Sequence, residues 1–222
     1  METNKWLWQP NKNGPIHEEA DKICTAFPVG KTKKYTRDDC QDFAMIARYT
    51  GLRQGEIAQL RKDNFKLCDK DQYVDVALKN PQQHLTTYTG STPKDSVLCI
   101  YLHDDDQMTT KTGEVRLVPV ADKLLETVKK RIKNATNNGS LFPFAFDDTG
   151  AVFGRFWLKR VKKIDEELTM HGFRHYTTSE MENNNVNDAI SHMVVGHNPG
   201  KVHDDYFHKT VQALKDAVDK IH

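Results

Sequence analysis

The sequence predicts a mainly helical α+β fold with one small sheet, from three observations. Residues 121–134, 151–165, 172–183 and 186–195 carry apolar groups at helical spacing, and the breaks between them fall at Asn137-Asn-Gly139, Pro143 and Asn183-Asn-Asn185. Alternation of apolar and polar residues is confined to a zone between 72 and 120, where 73–78, 97–102 and 115–120 read as strands. A chain of 222 residues with 37% apolar content can fill one large core.

Residues 1–34 hold Trp6, Trp8, Pro10, Gly14, Pro15 and Pro28 without sustained periodicity and are expected to be a tail or linker remnant, leaving 35–222 as the domain. Thr36 followed by Asp39 has the form of a capping box. The helix it opens places Phe43, Ile46, Ala47 and Tyr49 on one face before Gly51. A second helix should begin near Gln54 and turn Ile57 and Leu60 inward. At the far end, Val211, Leu214, Val218 and Ile221 share one helical face, suited to packing on this domain or on a neighbouring copy.

Composition excludes several classes. A mean hydropathy of -0.71 and the lack of any apolar run long enough for a bilayer argue against a membrane span. The N-terminus has no secretion signal, so a cytoplasmic protein is expected. Cys24, Cys40, Cys68 and Cys99 lie far apart with no C-x-x-C pair, which predicts buried thiols rather than a zinc site or disulfide framework. The C-terminal part is rich in histidine (His175, His192, His203, His208) but has no H-E-x-x-H pattern, so no metal and no other cofactor is expected. The net charge of +1 conceals local bias. The runs Lys129-Lys-Arg-Ile-Lys133 and Arg155-Phe-Trp-Leu-Lys-Arg-Val-Lys-Lys163 are basic, and either face solvent or track phosphates.

Six residues stand in contexts that carry chemistry. Arg53 lies in Thr50-Gly-Leu-Arg-Gln-Gly-Glu56, and Lys111 in Thr110-Lys-Thr-Gly113 ahead of Arg116-Leu-Val-Pro119. His171 and Arg174 form His171-Gly-Phe-Arg174, and Gly196-His197 precedes Tyr206 by nine positions counted from the histidine. In this ordered set the chain resembles the tyrosine recombinase, or phage integrase, family over residues 35–210. The resemblance implies that family's catalytic domain, mainly helical with a small antiparallel sheet at one edge. The family normally carries an N-terminal core-binding domain that clamps the opposite face of the duplex, and this chain reads as lacking it. The stretch 69–96 is longer than the family's sheet requires and reads as an insertion.

The chemistry such a set performs is phosphoryl transfer from DNA to a side chain. Cleaving a phosphodiester puts extra negative charge on the non-bridging oxygens, which planar bidentate guanidiniums stabilise best, and Arg53 and Arg174 suit that clamp. Glu56, one helical turn after Arg53, is placed to orient its guanidinium. Tyr206 is the expected nucleophile, storing the bond energy as a phosphotyrosine ester so that rejoining consumes no ATP. His171 either accepts the phenolic proton or holds the hydroxyl in position, and Lys111 is expected to protonate the departing alkoxide. His197 has the family's role of donating a hydrogen bond to the phosphate. Tyr88, Tyr101 and Tyr176 are expected to be packing or contact residues.

The resemblance thus implies a site-specific recombinase that integrates or excises a phage or other mobile element in the bacterial cytoplasm. Double-stranded DNA would be its partner, bound by a homo-tetramer that is a monomer off DNA. A type IB topoisomerase shares the nucleophile and clamp, a catalytically silent DNA-binding relative would keep the fold alone, and a metal-dependent nuclease would require ligands at spacings not found here.

Overall fold

The computed structural model describes residues 15, 17–28, 34–105, 108–110, 113, 115–146, 148–196 and 209–222. Helix α1 (His17–Ala26) lies inside the stretch expected as a tail, and its Ala20, Ile23 and Cys24, with Phe27 beyond it, are buried. It packs on α2 (Arg37–Thr50), which opens at the anticipated capping box: Thr36 Oγ1 accepts from the Asp39 amide and the Asp39 carboxylate accepts from the Thr36 amide. The short α3 (Gln54–Ala58) follows, and Ile57 and Leu60 are buried as expected.

The sheet has four antiparallel strands in the order β2, β1, β3, β4: β1 is Phe65–Asp69, β2 Leu85–Thr87, β3 Ser96–Leu102 and β4 Arg116–Pro119. Cys68 faces Val97 across β1 and β3, and Leu102 faces Arg116 across β3 and β4. One element differs from expectation. Residues 73–78 are not a strand but helix α4 (Val74–Lys79), followed after Asn80 by α5 (Pro81–His84). Val74 and Ala77, the buried residues of α4, stand three apart, which is helical rather than alternating spacing. The strand that pairs with β3 is β1 instead. Of its five residues only Phe65 and Cys68 are fully buried, a pattern without the period of two that marks a strand.

The stretch 69–96 therefore builds α4, α5 and the outer strand β2, and it also grips the C-terminal end of the chain. The Val74 amide donates to the Lys209 carbonyl at 2.9 Å, and the Val211 and Gln212 amides donate to the Gln72 and Lys70 carbonyls, each at 2.9 Å.

The remaining helices are α6 (Leu125–Lys133), α7 (Pro143–Phe146), α8 (Ala151–Val161), α9 (Met170–Asn183), α10 (Asp188–Val195) and α11 (Val211–Asp219). Helix α9 crosses α2 closely enough for Thr177 Oγ1 to donate to the Arg48 carbonyl at 2.8 Å. Phe43 of α2 packs on Phe142 and on Phe153 of α8, and the buried Trp157 of α8 packs on Phe27 and on Phe173 of α9. The basic run at 129–133 is largely spent on internal pairs: Arg131 and Lys130 bind the buried Asp42, and Lys129 binds Glu126. All four cysteines are buried and unbridged. Burial pushes the Cys24 and Cys68 thiols up to about 11 and the Cys40 thiol up to about 12, which keeps them protonated and poor nucleophiles.

Helices α10 and α11 cover β4. The stripe Val211, Leu214, Val218 and Ile221 is completely buried against this chain's own core. Leu214→Ala should therefore cost about 2–5 kcal/mol in denaturant unfolding, with a midpoint independent of protein concentration. A midpoint that rises with concentration would instead place this face on a second copy.

Candidate active site

Two of the glycines flagged by the motifs explain how the site is built. Gly51 ends α2 and Gly196 ends α10, both in the left-handed conformation, with φ of 62° and 67°. A side chain at either would be strained and would also collide: a Cβ on Gly51 would stand 2.8 Å from Val195 Cγ1, and one on Gly196 would stand 2.5 Å from Arg116 Nη1. Each cap ends its helix just before a motif residue in the sequence, Arg53 two positions after Gly51 and His197 directly after Gly196.

Arg174, on the buried side of α9, locks these caps together. Its Nη1 donates to the Gly51 carbonyl and its Nη2 to the Gly196 carbonyl, both at 2.9 Å. A guanidinium set at two helix C-termini also meets the negative end of each macrodipole. The residue is 2% exposed, so two of its donors are spent on fixing its plane. One turn earlier on the same helix is His171, on the exposed rim, its ring edge-on to His175 at 4.9 Å between centroids. Thr169 caps this helix by accepting from the Gly172 amide at 3.0 Å.

Arg53 caps α3, and Glu56 holds it twice. The Arg53 amide donates to Oε2 at 2.8 Å and its Nη1 to Oε1 at 3.0 Å. The same carboxylate accepts from Arg116 Nη2 at 2.6 Å. Burial by itself would raise the pKa of Glu56. Arg116, the Arg53 amide and the Arg53 guanidinium more than offset this and hold the carboxyl below its usual range. The pairing of Glu56 with Arg53 thus acquires a third member, Arg116, which in the sequence stands out only as part of the context of Lys111. The available signal was a cation opening a strand whose other residues, Leu117, Val118 and Pro119, are all apolar. Such a residue needs a buried partner.

Lys111, His197 and Tyr206 lie outside the described residues, but the chain on either side of them is held. The Thr110 amide donates to Asp104 Oδ1 at 2.5 Å, and the Thr109 amide donates to Gln59 Oε1 at 3.0 Å. Gln59 caps α3, so the segment entering Lys111 is tied to the helix that carries Arg53 and Glu56. The segment 197–208 leaves from the Gly196 cap and rejoins at Lys209, whose carbonyl Val74 holds. The competing tyrosines behave as packing and contact groups. Tyr88 and Tyr176 are buried, and Tyr101 stacks on His103 at 4.6 Å. Burial pushes the Tyr176 phenol up to about 12, making its phenolate hard to form. Among the described residues no cluster of His, Cys, Asp and Glu could hold a metal ion, and no helix is long and apolar enough to cross a membrane.

Comparison with known proteins agrees with this architecture. A family model described as the phage integrase family matches residues 17–213. The structure of XerA recombinase superposes with a TM-score of 0.51 at 18% identity, covering 92% of this chain and 63% of that one. XerH site-specific recombinase in a pre-cleavage complex with difH substrate gives a TM-score of 0.52 at 16% identity, covering 96% and 55%. The chain therefore spans a little over half to almost two thirds of the length of these solved structures, with which it shares a fold. No curated protein sequence matches it.

The arrangement generates a prediction at Glu56. Glu56→Ala should cost about 3–5 kcal/mol, because two guanidiniums lose the carboxylate they share. A carboxyl whose folded pKa is depressed contributes stability that is complete above its ordinary value of 4.5 and is lost as pH falls through the lower folded value. Glu56→Gln should accordingly flatten the acid limb of stability against pH below 4.5, measured by denaturant midpoints. An unchanged limb would mean that the carboxyl is not held ionised by these arginines.

Proposed function

The chain belongs to the phage integrase family, and from that membership we propose that it is a site-specific DNA recombinase that cuts and rejoins strands through a covalent 3'-phosphotyrosine. The observation that carries the proposal is the pair Arg53 and Arg174. Each guanidinium is fixed by acceptors of the fold itself, a buried carboxylate for one and two helix-cap carbonyls for the other. Donors fixed in advance cost no reorganisation when charge develops on a phosphate, which is the condition for electrostatic stabilisation of a transition state.

In this reading Tyr206 attacks phosphorus in line and the 5' oxygen leaves. The phosphotyrosine conserves the energy of the broken bond, so neither ATP nor a metal is required. Lys111 gives the leaving oxygen its proton, His171 takes or positions the phenolic proton, and His197 donates to a non-bridging oxygen. Glu56 acts behind Arg53. The tie between Gln59 and Thr109 supports the role of Lys111, because it couples that loop to the Arg53 helix. The Gly196 cap and the bond from the Val74 amide to the Lys209 carbonyl support the role of Tyr206, because the described residues on both sides of it are anchored to the same core.

The substrate is double-stranded DNA at an attachment site, and the biological task is integration or excision of a phage or other mobile element in the cytoplasm. Strand exchange calls for four copies on DNA, whereas the buried α11 stripe favours a monomer in its absence. Bound by this domain alone, DNA should be held through phosphate contacts with steep salt dependence.

The test is a nicked suicide duplex incubated with the protein in chelator and without ATP, followed by denaturing electrophoresis. A covalent protein–DNA adduct should form with the parent chain and vanish with Tyr206→Phe. Arg174→Lys should slow its formation by about 10²–10³-fold, since a single ammonium cannot hold two cap carbonyls and face a phosphate at once. An adduct that survives Tyr206→Phe would transfer the nucleophile elsewhere. No adduct on a cognate site, even with a core-binding domain supplied, would overturn the recombinase reading.

A further inference from the structure

The side chain of Arg116 is only 5% exposed. Its Nη2 is used on Glu56, while Nε and Nη1 have no hydrogen-bond partner among the described residues. Nη1 lies against the Gly196 cap, the same cap whose carbonyl takes Arg174. A buried guanidinium that gives only one of its donors to a carboxylate keeps much of its charge available to the site.

A count of charge shows the need. Arg53 and Glu56 by themselves form a neutral pair, and a neutral pair attracts a phosphate only as a dipole. Adding Arg116 brings the three-residue unit to a net charge of +1. The unit is largely screened from water, its Glu56 and Arg116 side chains being 2% and 5% exposed, so that charge acts at low effective dielectric.

We propose that Arg116 is a positioning residue of the phosphate clamp, acting through Glu56: it offsets the carboxylate so that Arg53 stays oriented by Glu56 without being neutralised by it. The same contact carries the sheet into the site, because Arg116 opens β4 while Glu56 belongs to α3. The inference rests on the recombinase reading for the identity of the anion as a DNA phosphate, but its electrostatic content can be tested without DNA.

Tungstate, a tetrahedral oxyanion, is the probe, with binding to the full chain measured by titration calorimetry. Arg116→Gln should weaken binding by about tenfold, and Arg116→Lys, which keeps the charge, should restore most of it. Glu56→Gln alone raises the unit to +2 and should bind tungstate at least as tightly as the parent. Glu56→Gln in the Arg116→Gln background returns it to +1 and should recover affinity. A purely structural role for Arg116 would leave the double variant as weak as Arg116→Gln or weaker, and that result overturns the proposal. So does a parent chain that binds no tungstate. If Arg116→Gln does not fold, Glu56→Gln decides by itself: weaker binding than the parent refutes the charge argument. On the suicide duplex, Arg116→Gln should lower the cleavage rate at saturating DNA more than it weakens DNA binding. A parent chain that binds tungstate as described but yields no adduct would refute the recombinase reading while leaving the role of Arg116 standing.

Discussion

The shared carboxylate of Glu56 is the constraint on which the rest of the site depends. A buried carboxylate is stable only with partners, and here each partner comes from a different part of the chain: Arg53 from the start of α3 and Arg116 from the start of β4. Satisfying it forces the sheet and the helical body together at one point. The Gln59 contacts with Thr109 add a second tie between the same two bodies, so Thr109 and Arg116 are both held to the helix that Arg53 opens.

Arg174 does for the helical layer what Glu56 does for the sheet. Its guanidinium closes two helix ends, and those ends are glycines because the chain must turn through a left-handed residue where no Cβ has room. The motif glycines and motif arginines are thus one device: the glycine supplies the turn and the free carbonyl, and the arginine uses that carbonyl to become immobile. Preorganisation of this kind is what phosphoryl transfer asks of a protein that supplies positioning and charge.

The stretch 69–96 shows how local additions serve the site from a distance. Its helix α4 and the turn before it hold Lys209 to Gln212 by three backbone hydrogen bonds. Helix α11 is then seated against β3 and β4, and its apolar stripe is used up within the chain. The end of the segment that follows Tyr206 is anchored as a result, although nothing in the local composition of 69–96 points to that task.

Much was legible in the sequence because it follows from local rules. The capping box at Thr36, the apolar face of α2, the helices after 121 and the mainly helical fold with a small sheet depend on periodicity and on short-range hydrogen bonds, which a linear string records. The glycine–arginine and glycine–histidine spacings were legible for the same reason, and so was the pairing of Glu56 with Arg53, three residues apart on one helix turn. What the tertiary structure decided is what depends on contacts distant in the chain. Residues 73–78 became a helix because the place beside β3 was taken by 65–69. The tail-like N-terminus acquired α1 because α2 offered it an apolar face, and the basic run at 129–133 was drawn to Asp42. Above all, Arg116 joined the site through a carboxylate 60 residues away, since burial leaves an ion no partner but the one that folding brings to it.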